Sequence, residues 1–159
     1  MANLIDPTEM MFTAFEPKVK NRYVFYVDGI PSYLIRKAAR PKIVNGDVTI
    51  KHINNERHVK GRSSWETISL ELYDPIVPSG AQAVMEWVRL HHESNGYADF
   101  YKKDCTINIL GPVGDKVEEW TLKGAFITDA DFGEITWEDD GTPMVVALTL
   151  RFDYAILQY

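Results

Sequence analysis

Residues 65–94 read WETISLELYDPIVPSGAQAVMEWVRLHHES. In the first ten, Ile68, Leu70 and Leu72 point one way and Thr67, Ser69 and Glu71 the other, the period of a half-buried β-strand over 65–74. Pro75 and Pro78 end that run, because proline has no amide to give to a ladder. Ser79-Gly-Ala-Gln82 then supplies a capping-box pattern and predicts a helix over 79–95, stopped by Asn95-Gly96. Val84, Trp87, Val88 and His91 fall at i, i+3, i+4 and i+7, the single apolar stripe that lays a helix on a sheet.

Outward from this stretch the chain reads as β. Upstream, RYVFYVD and IPSYLIRKA flank Gly29 and predict a hairpin. In DVTIKHI, residues 47–53, Val48 and Ile50 share one face and Thr49 and Lys51 the other. Turn signals at Asn54-Asn55-Glu56 and Gly61-Arg62-Ser63-Ser64 make 40–64 an extended polar loop around that short strand. Downstream, strands are expected over 103–110 and 117–128, joined by Gly111-Pro-Val-Gly-Asp, with a weaker one over 132–137. A final strand over 142–154 puts Met144, Val146, Leu148, Leu150, Phe152 and Tyr154 on one face. Residues 1–20, broken by Pro7 and Pro17, read as an arm, and 21–159 as one domain. The expected fold is mainly β, an antiparallel sandwich or barrel with one packed helix. Its core is Ile68, Leu70, Leu72, Val146, Leu148 and Leu150 against Val84, Trp87 and Val88.

Charge is segregated along the chain. Residues 36–62 hold eight bases (Arg36, Lys37, Arg40, Lys42, Lys51, Arg57, Lys60, Arg62) and two acids, leaving nine of the 17 bases and twenty-one of the 23 acids elsewhere. Asp129, Asp131, Glu134, Glu138, Asp139 and Asp140 crowd a stretch with no base between Lys123 and Arg151. Head-to-tail stacking of identical subunits uses such a division to steer encounter and fix polarity. A net charge of −6 argues against a protein that grips nucleic acid, and no aromatic residue interleaves the basic window.

Chemistry is hard to find in the sequence. His52, His58, His91 and His92 make no H-x-x-x-H spacing, and adjacent helical residues point about 100° apart, so His91 and His92 cannot chelate together. Glu118-Glu119 and Asp139-Asp140 read as solvated acids. No nucleophile elbow or phosphate-cradling glycine loop occurs. Cys105, the one cysteine, sits in an apolar run as a small core residue and fits a reducing compartment. The start, MANLIDPTEMMF, has no basic region ahead of a cleavable apolar core. Trp65, Trp87, Trp120 and Trp137 are core or interface anchors, or else line a pocket in a monomeric ligand-binding barrel. No enzyme, cofactor or metal centre is expected.

The run INNERHVKGRSSWETISLELYDPIVPSGAQAVMEWVR, residues 53–89, resembles the tail tube protein of contractile-tailed bacteriophages. The shared features are the Asn-rich basic segment (Asn54, Asn55, Arg57), the Gly-Arg-x-x-Trp approach to a strand (Gly61, Arg62, Trp65), and a helix carrying Val84 and Trp87. The hairpin lacks the Cys-containing second strand of some members. The resemblance, over most of residues 20–154, implies a non-enzymatic ring-former similar in fold to the type VI secretion tube protein. Six subunits would pair strands into a ring, and rings would stack head-to-tail into a hollow tube inside a contractile sheath and conduct DNA. It also implies sheath, baseplate and tail-terminator proteins as partners, and a place in the virion tail after assembly in the host cytoplasm. A baseplate or tube-terminating paralogue fits the same pattern.

In such a ring the polar strand faces line the bore, so Thr67, Ser69, Glu71, Thr149 and Asp153 are expected there. Few bases suit a conduit, since each would hold phosphate. Pairing between subunits would also cover the edge of the long 142–154 strand. The remaining charge predicts an inter-ring contact. Lys42, Lys51, Arg57, Lys60 and Arg62 would meet Asp129, Asp131, Asp139 and Asp140, or the terminal arm, of the next ring.

Overall fold

The computed structural model describes residues 16–93 and 101–159. Its strands are β1 (Tyr23–Val27), β2 (Ile35–Lys37), β3 (Ile43–Lys51), β4 (Glu56–Trp65), β5 (Ile68–Tyr73), β6 (Lys103–Leu110), β7 (Lys116–Asp131), β8 (Val145–Arg151) and β9 (Tyr154–Leu157). A 3-10 turn (Ser32–Leu34) precedes β2, and helix α1 (Gly80–Glu93) lies between β5 and β6. The predicted helix residues 94–95, the Asn95-Gly96 stop and residues 1–15 of the arm lie outside the described residues.

Seven strands form one antiparallel sheet in the order β1-β6-β7-β8-β5-β2, with β9 also on β7. The sixteen residues of β7 serve both halves. The first half pairs with β6 and β9, and the second with β8. The sheet edges β1 and β2 are joined by a short link, and the Tyr23 hydroxyl donates to the Arg36 carbonyl across the seam at 2.7 Å. The result is a nearly closed barrel. Its interior follows the alternation in register, with Ile68 opposite Leu150, Leu70 opposite Leu148 and Leu72 opposite Val146, all buried.

Helix α1 closes the core from the side. Ser79 Oγ accepts the Gln82 amide at 3.4 Å and Asp74 Oδ1 accepts the Ala81 amide at 3.2 Å, which satisfies two of the otherwise unpaired first amides. Val84 and Trp87 are buried and Val88 packs beside them. His91 lies outside the core, stacked on Phe126 and edge-on to Tyr101.

Several expectations are corrected. The two runs around Gly29 do not form a hairpin beyond one bridge, Val27 to Ile30. Pro31 has no amide to donate, and the 3-10 turn swings Ile30 and Leu34 into the core, so the second run reaches the opposite sheet edge. The strand expected from Trp65 begins at Ile68, and Trp65 instead ends β4, packed near Phe152 at a centroid distance of 5.9 Å. No strand forms over 132–137, where Gly133 takes φ 85° and the segment is exposed. The long final strand is two. Buried Phe152 ends the β8 pairing, the Asp153 amide donates to Lys123 O at 2.9 Å, and β9 continues on the first half of β7. Strand β8 therefore lies inside the sheet between β7 and β5, and its edge needs no partner subunit. Tyr154 is exposed.

The 40–64 segment is also ordered as β. Strands β3 and β4 pair as a separate two-stranded sheet, and the Gly61–Ser64 turn signals lie within β4. Gly61 and Arg62 oppose the single Gly46, a bulge. A Cβ on Gly61 would sit 2.9 Å from the Gly46 carbonyl carbon, and one on Gly46 would sit 2.8 Å from Arg62 O. Gly61→Ala is therefore expected to part the strands at the bulge, at a cost of about 1–3 kcal/mol. Amide exchange should accelerate over 47–60 while β5 and β8 keep their protection; unchanged exchange over 47–60 would refute the close-approach account.

Candidate assembly surfaces

The β3–β4 hairpin stands off the barrel with both faces largely in water. Beyond the bulge, Val48 faces Val59 and Ile50 faces Arg57, and all three apolar side chains are exposed. The other face pairs Asp47 with Lys60, Thr49 with His58 and Lys51 with Glu56. Thr49 Oγ1 and His58 Nδ1 are 3.2 Å apart. A two-stranded ribbon with a bare apolar face is marginal by itself in water. Of the predicted contact bases, Lys42 is bound 3.0 Å from Glu66 at the hairpin base, whereas Lys51, Arg57, Lys60 and Arg62 project from the ribbon.

The basic window thus divides in space. Arg36, Lys37 and Arg40 stay on the barrel, where with Lys18 and Lys20 they rim its open mouth. Beneath the rim lies Glu118, 5% exposed, which accepts from Lys18 and from Trp120 Nε1 and lies 3.4 Å from Arg40 Nη1. Its reading as a solvated acid is therefore wrong. Glu118, Trp120 and Leu122 share the inward face by alternation, a signal present in KVEEWTLKG. Burial pushes the Glu118 carboxyl up, but the hydrogen bonds from Lys18 and Trp120 and the charges of Lys18 and Arg40 outweigh it and hold it below its ordinary value.

A lowered folded-state value means that the unfolded chain binds the proton more readily. The contribution of Glu118 is then complete above the ordinary value of 4.5 and is lost as pH falls through the lowered one. Lys18 and Arg40 remain half in water, which reduces its size. Glu118→Gln should cost about 1–2 kcal/mol at pH 7. In urea unfolding the gap between the two proteins should close in strong acid; a gap unchanged by acid would count against this ion-pair role.

The predicted acidic set divides as well. Asp129 and Asp131 lie on β7, in register with Thr149 and Ala147 of β8, which in turn oppose Ser69 and Glu71 of β5. These two acids thus share one outward sheet face with the expected bore residues. Asp139 and Asp140 lie in the exposed loop between β7 and β8. Thr67 precedes β5, and Asp153 sits at the β8–β9 corner, where its carboxylate is 3.0 Å from Lys102 Nζ, away from the Ser69–Thr149 row. Cys105 is buried, which pushes its thiol up to about 12, outside the range of a working nucleophile. The tryptophans do not converge: Trp87 is buried on α1, Trp65 half-buried at the end of β4, Trp120 half-buried on β7, and Trp137 fully exposed.

No protein-family model and no curated protein matches the sequence. Solved structures do match its shape. The anti-feeding prophage cap (AFP tube terminating cap) gives a TM-score of 0.75 at 17% identity, covering 99% of each chain. The sheath-tube complex of an extracellular contractile injection system (PVC), in its extended state, gives 0.71 at 20% identity over 89% of this chain and 91% of the other. Hcp1 from Flavobacterium johnsoniae gives 0.51 at 11% identity, over 86% and 94%. The fold is that of a contractile-system tube protein. Among the described residues the barrel and helix hold the core, and the β3–β4 ribbon and the β7–β8 loop are exposed. No helix among the described residues is long and apolar enough to cross a membrane.

Proposed function

We propose that the chain is a structural tube subunit of a contractile tail, with six copies closing a ring and rings stacking head-to-tail inside a sheath. The single observation that carries this reading is the likeness of fold to tube-assembly components along almost the whole chain. The exposed ribbon supports it, since a bare apolar face beside four projecting bases has no use in an isolated subunit. In this reading Lys42, Lys51, Arg57, Lys60 and Arg62, with Asp129, Asp131, Asp139 and Asp140, contact neighbouring copies. The row of Ser69, Glu71 and Thr149, with Thr67 just ahead of β5 and Asp153 at the β8–β9 corner, faces the bore.

The phage tail is the setting we favour, with DNA as cargo, the virion as location, and sheath, baseplate and terminator proteins as partners. Few bases on the bore face suit passage of a polyanion. Electron microscopy of the purified protein tests the reading, with long hollow tubes as the expected result. The full-length likeness to a tube-terminating cap favours a second reading, a terminator or baseplate paralogue. It predicts single rings that block the growth of tubes. A monomer under all conditions would reject both readings and revive the ligand-binding barrel.

A further inference from the structure

The mouth of the barrel, where β1 and β2 diverge, is a groove of about 670 Å³. Ile107, Ile109 and Ala38 line it, and Lys18, Lys20, Arg36, Lys37 and Arg40 surround it. Glu118 answers Lys18 and Arg40, and Glu71 lies 3.8 Å from Lys37, so the rim keeps a positive excess. At the other end of β7 begins the loop 132–144. It carries Glu134, Glu138, Asp139 and Asp140 without a base, and it holds Ile135 and Trp137 out in water.

The loop has its own internal bonds. Asp131 Oδ1 accepts the Gly133 amide at 2.9 Å, Thr136 Oγ1 accepts the Glu138 amide at 3.3 Å, and Asp139 Oδ1 accepts the Thr142 hydroxyl at 2.7 Å. Such turns give a short loop a preferred shape. A fully exposed tryptophan in an acidic loop and an apolar-floored basic mouth are complementary in both hydrophobicity and charge.

We propose that the Trp137 loop of one copy seats in the barrel mouth of the next copy. This rests on the tube reading and names a contact within it. The two features do not meet within the chain: Trp137 is fully exposed, and no residue of the 132–144 loop lines the groove. A contact between two different patches is not self-complementary and propagates from copy to copy. The β3–β4 ribbon, although basic, is exposed on both faces and would leave Trp137 in water.

The test places the photo-crosslinker p-benzoylphenylalanine at Lys20, an exposed rim position, in the full-length chain. Light and isotope-labelled copies are mixed, assembled and irradiated, and the joined peptides are read by mass spectrometry. Crosslinks to residues 132–144 of a differently labelled copy are expected. Trp137→Ala should lower their yield at least about tenfold at unchanged unfolding temperature, as for an interface anchor, and Trp137→Phe should keep most of it. Tubes whose crosslinks run instead to residues 1–15, or to β3 and β4, would overturn this contact and leave the tube reading intact. Monomers with no intermolecular crosslink would overturn both.

Discussion

Tube growth is expected to fail when Arg57 and Arg62 are both changed to glutamate, while the thermal unfolding of the dilute subunit stays the same. Both side chains project from the β3–β4 ribbon, which among the described residues pairs with no strand of the barrel. Surface changes of this kind usually stay within about 0.5 kcal/mol of wild type. In the proposed inter-ring contact the arithmetic differs, because four units of charge change per subunit would place like charges where opposite ones should meet, at a cost of several kcal/mol. Assembly should weaken by roughly a hundredfold or more, since each 1.4 kcal/mol is tenfold. Wild-type assembly should also weaken as salt is raised. Normal tubes from the double variant in negative stain would remove the ribbon from the proposed inter-ring contact.

Trp87→Ala should act on the subunit itself. The ring is 1% exposed, packed in the core, and its Nε1 donates to the Tyr101 carbonyl at 2.8 Å. Truncating such a side chain costs about 3–5 kcal/mol through lost burial and the cavity left behind. Against the 5–15 kcal/mol that keeps a typical domain folded, that is a large share. At about 2–4 °C per kcal/mol for a chain of this size, the midpoint should fall by roughly 6–20 °C. Trp87→Phe keeps much of the volume and loses the donor, so its fall should be well under that of alanine. The comparison must be made in dilute solution, because assembly would mask the loss by mass action. A drop below about 1 kcal/mol for alanine would mean that α1 contributes little to the core.

What the sequence made legible is whatever depends on local period. Ile68, Leu70 and Leu72 against Val146, Leu148 and Leu150 could be read because alternation on an amphipathic strand fixes which side is buried. The stripe of α1 could be read for the same reason. Pairing partners could not. The Asp28-Gly29 signal is a true turn, yet its flanks belong to strands at opposite edges, a matter of long-range topology that dipeptides do not encode. Spacing could not reveal it either, since Ile30 and Leu34, four apart, share one face of a strand as well as of a helical turn.

Among the candidate surface residues, the ribbon's bases were visible as a count, whereas the division of that count between ribbon and mouth was not. Lys18 and Lys20 join Arg36 and Lys37 only through folding. Glu118 was hidden by its neighbour Glu119, because a doublet of acids looks solvated until the strand period assigns them to opposite faces.

Strand β7 carries the backbone from the mouth to the base of the Trp137 loop, turned at Gly124 (φ 66°), and its hydrogen bonds to β6, β8 and β9 lie across its axis. If successive subunits engage at those two points, tension along the filament pulls β7 lengthwise and loads many cross-strand bonds together instead of peeling them one by one. The subunit then behaves as a link in a chain, its tensile member built from one continuous piece of backbone, and its weakest place under load is the joint between copies.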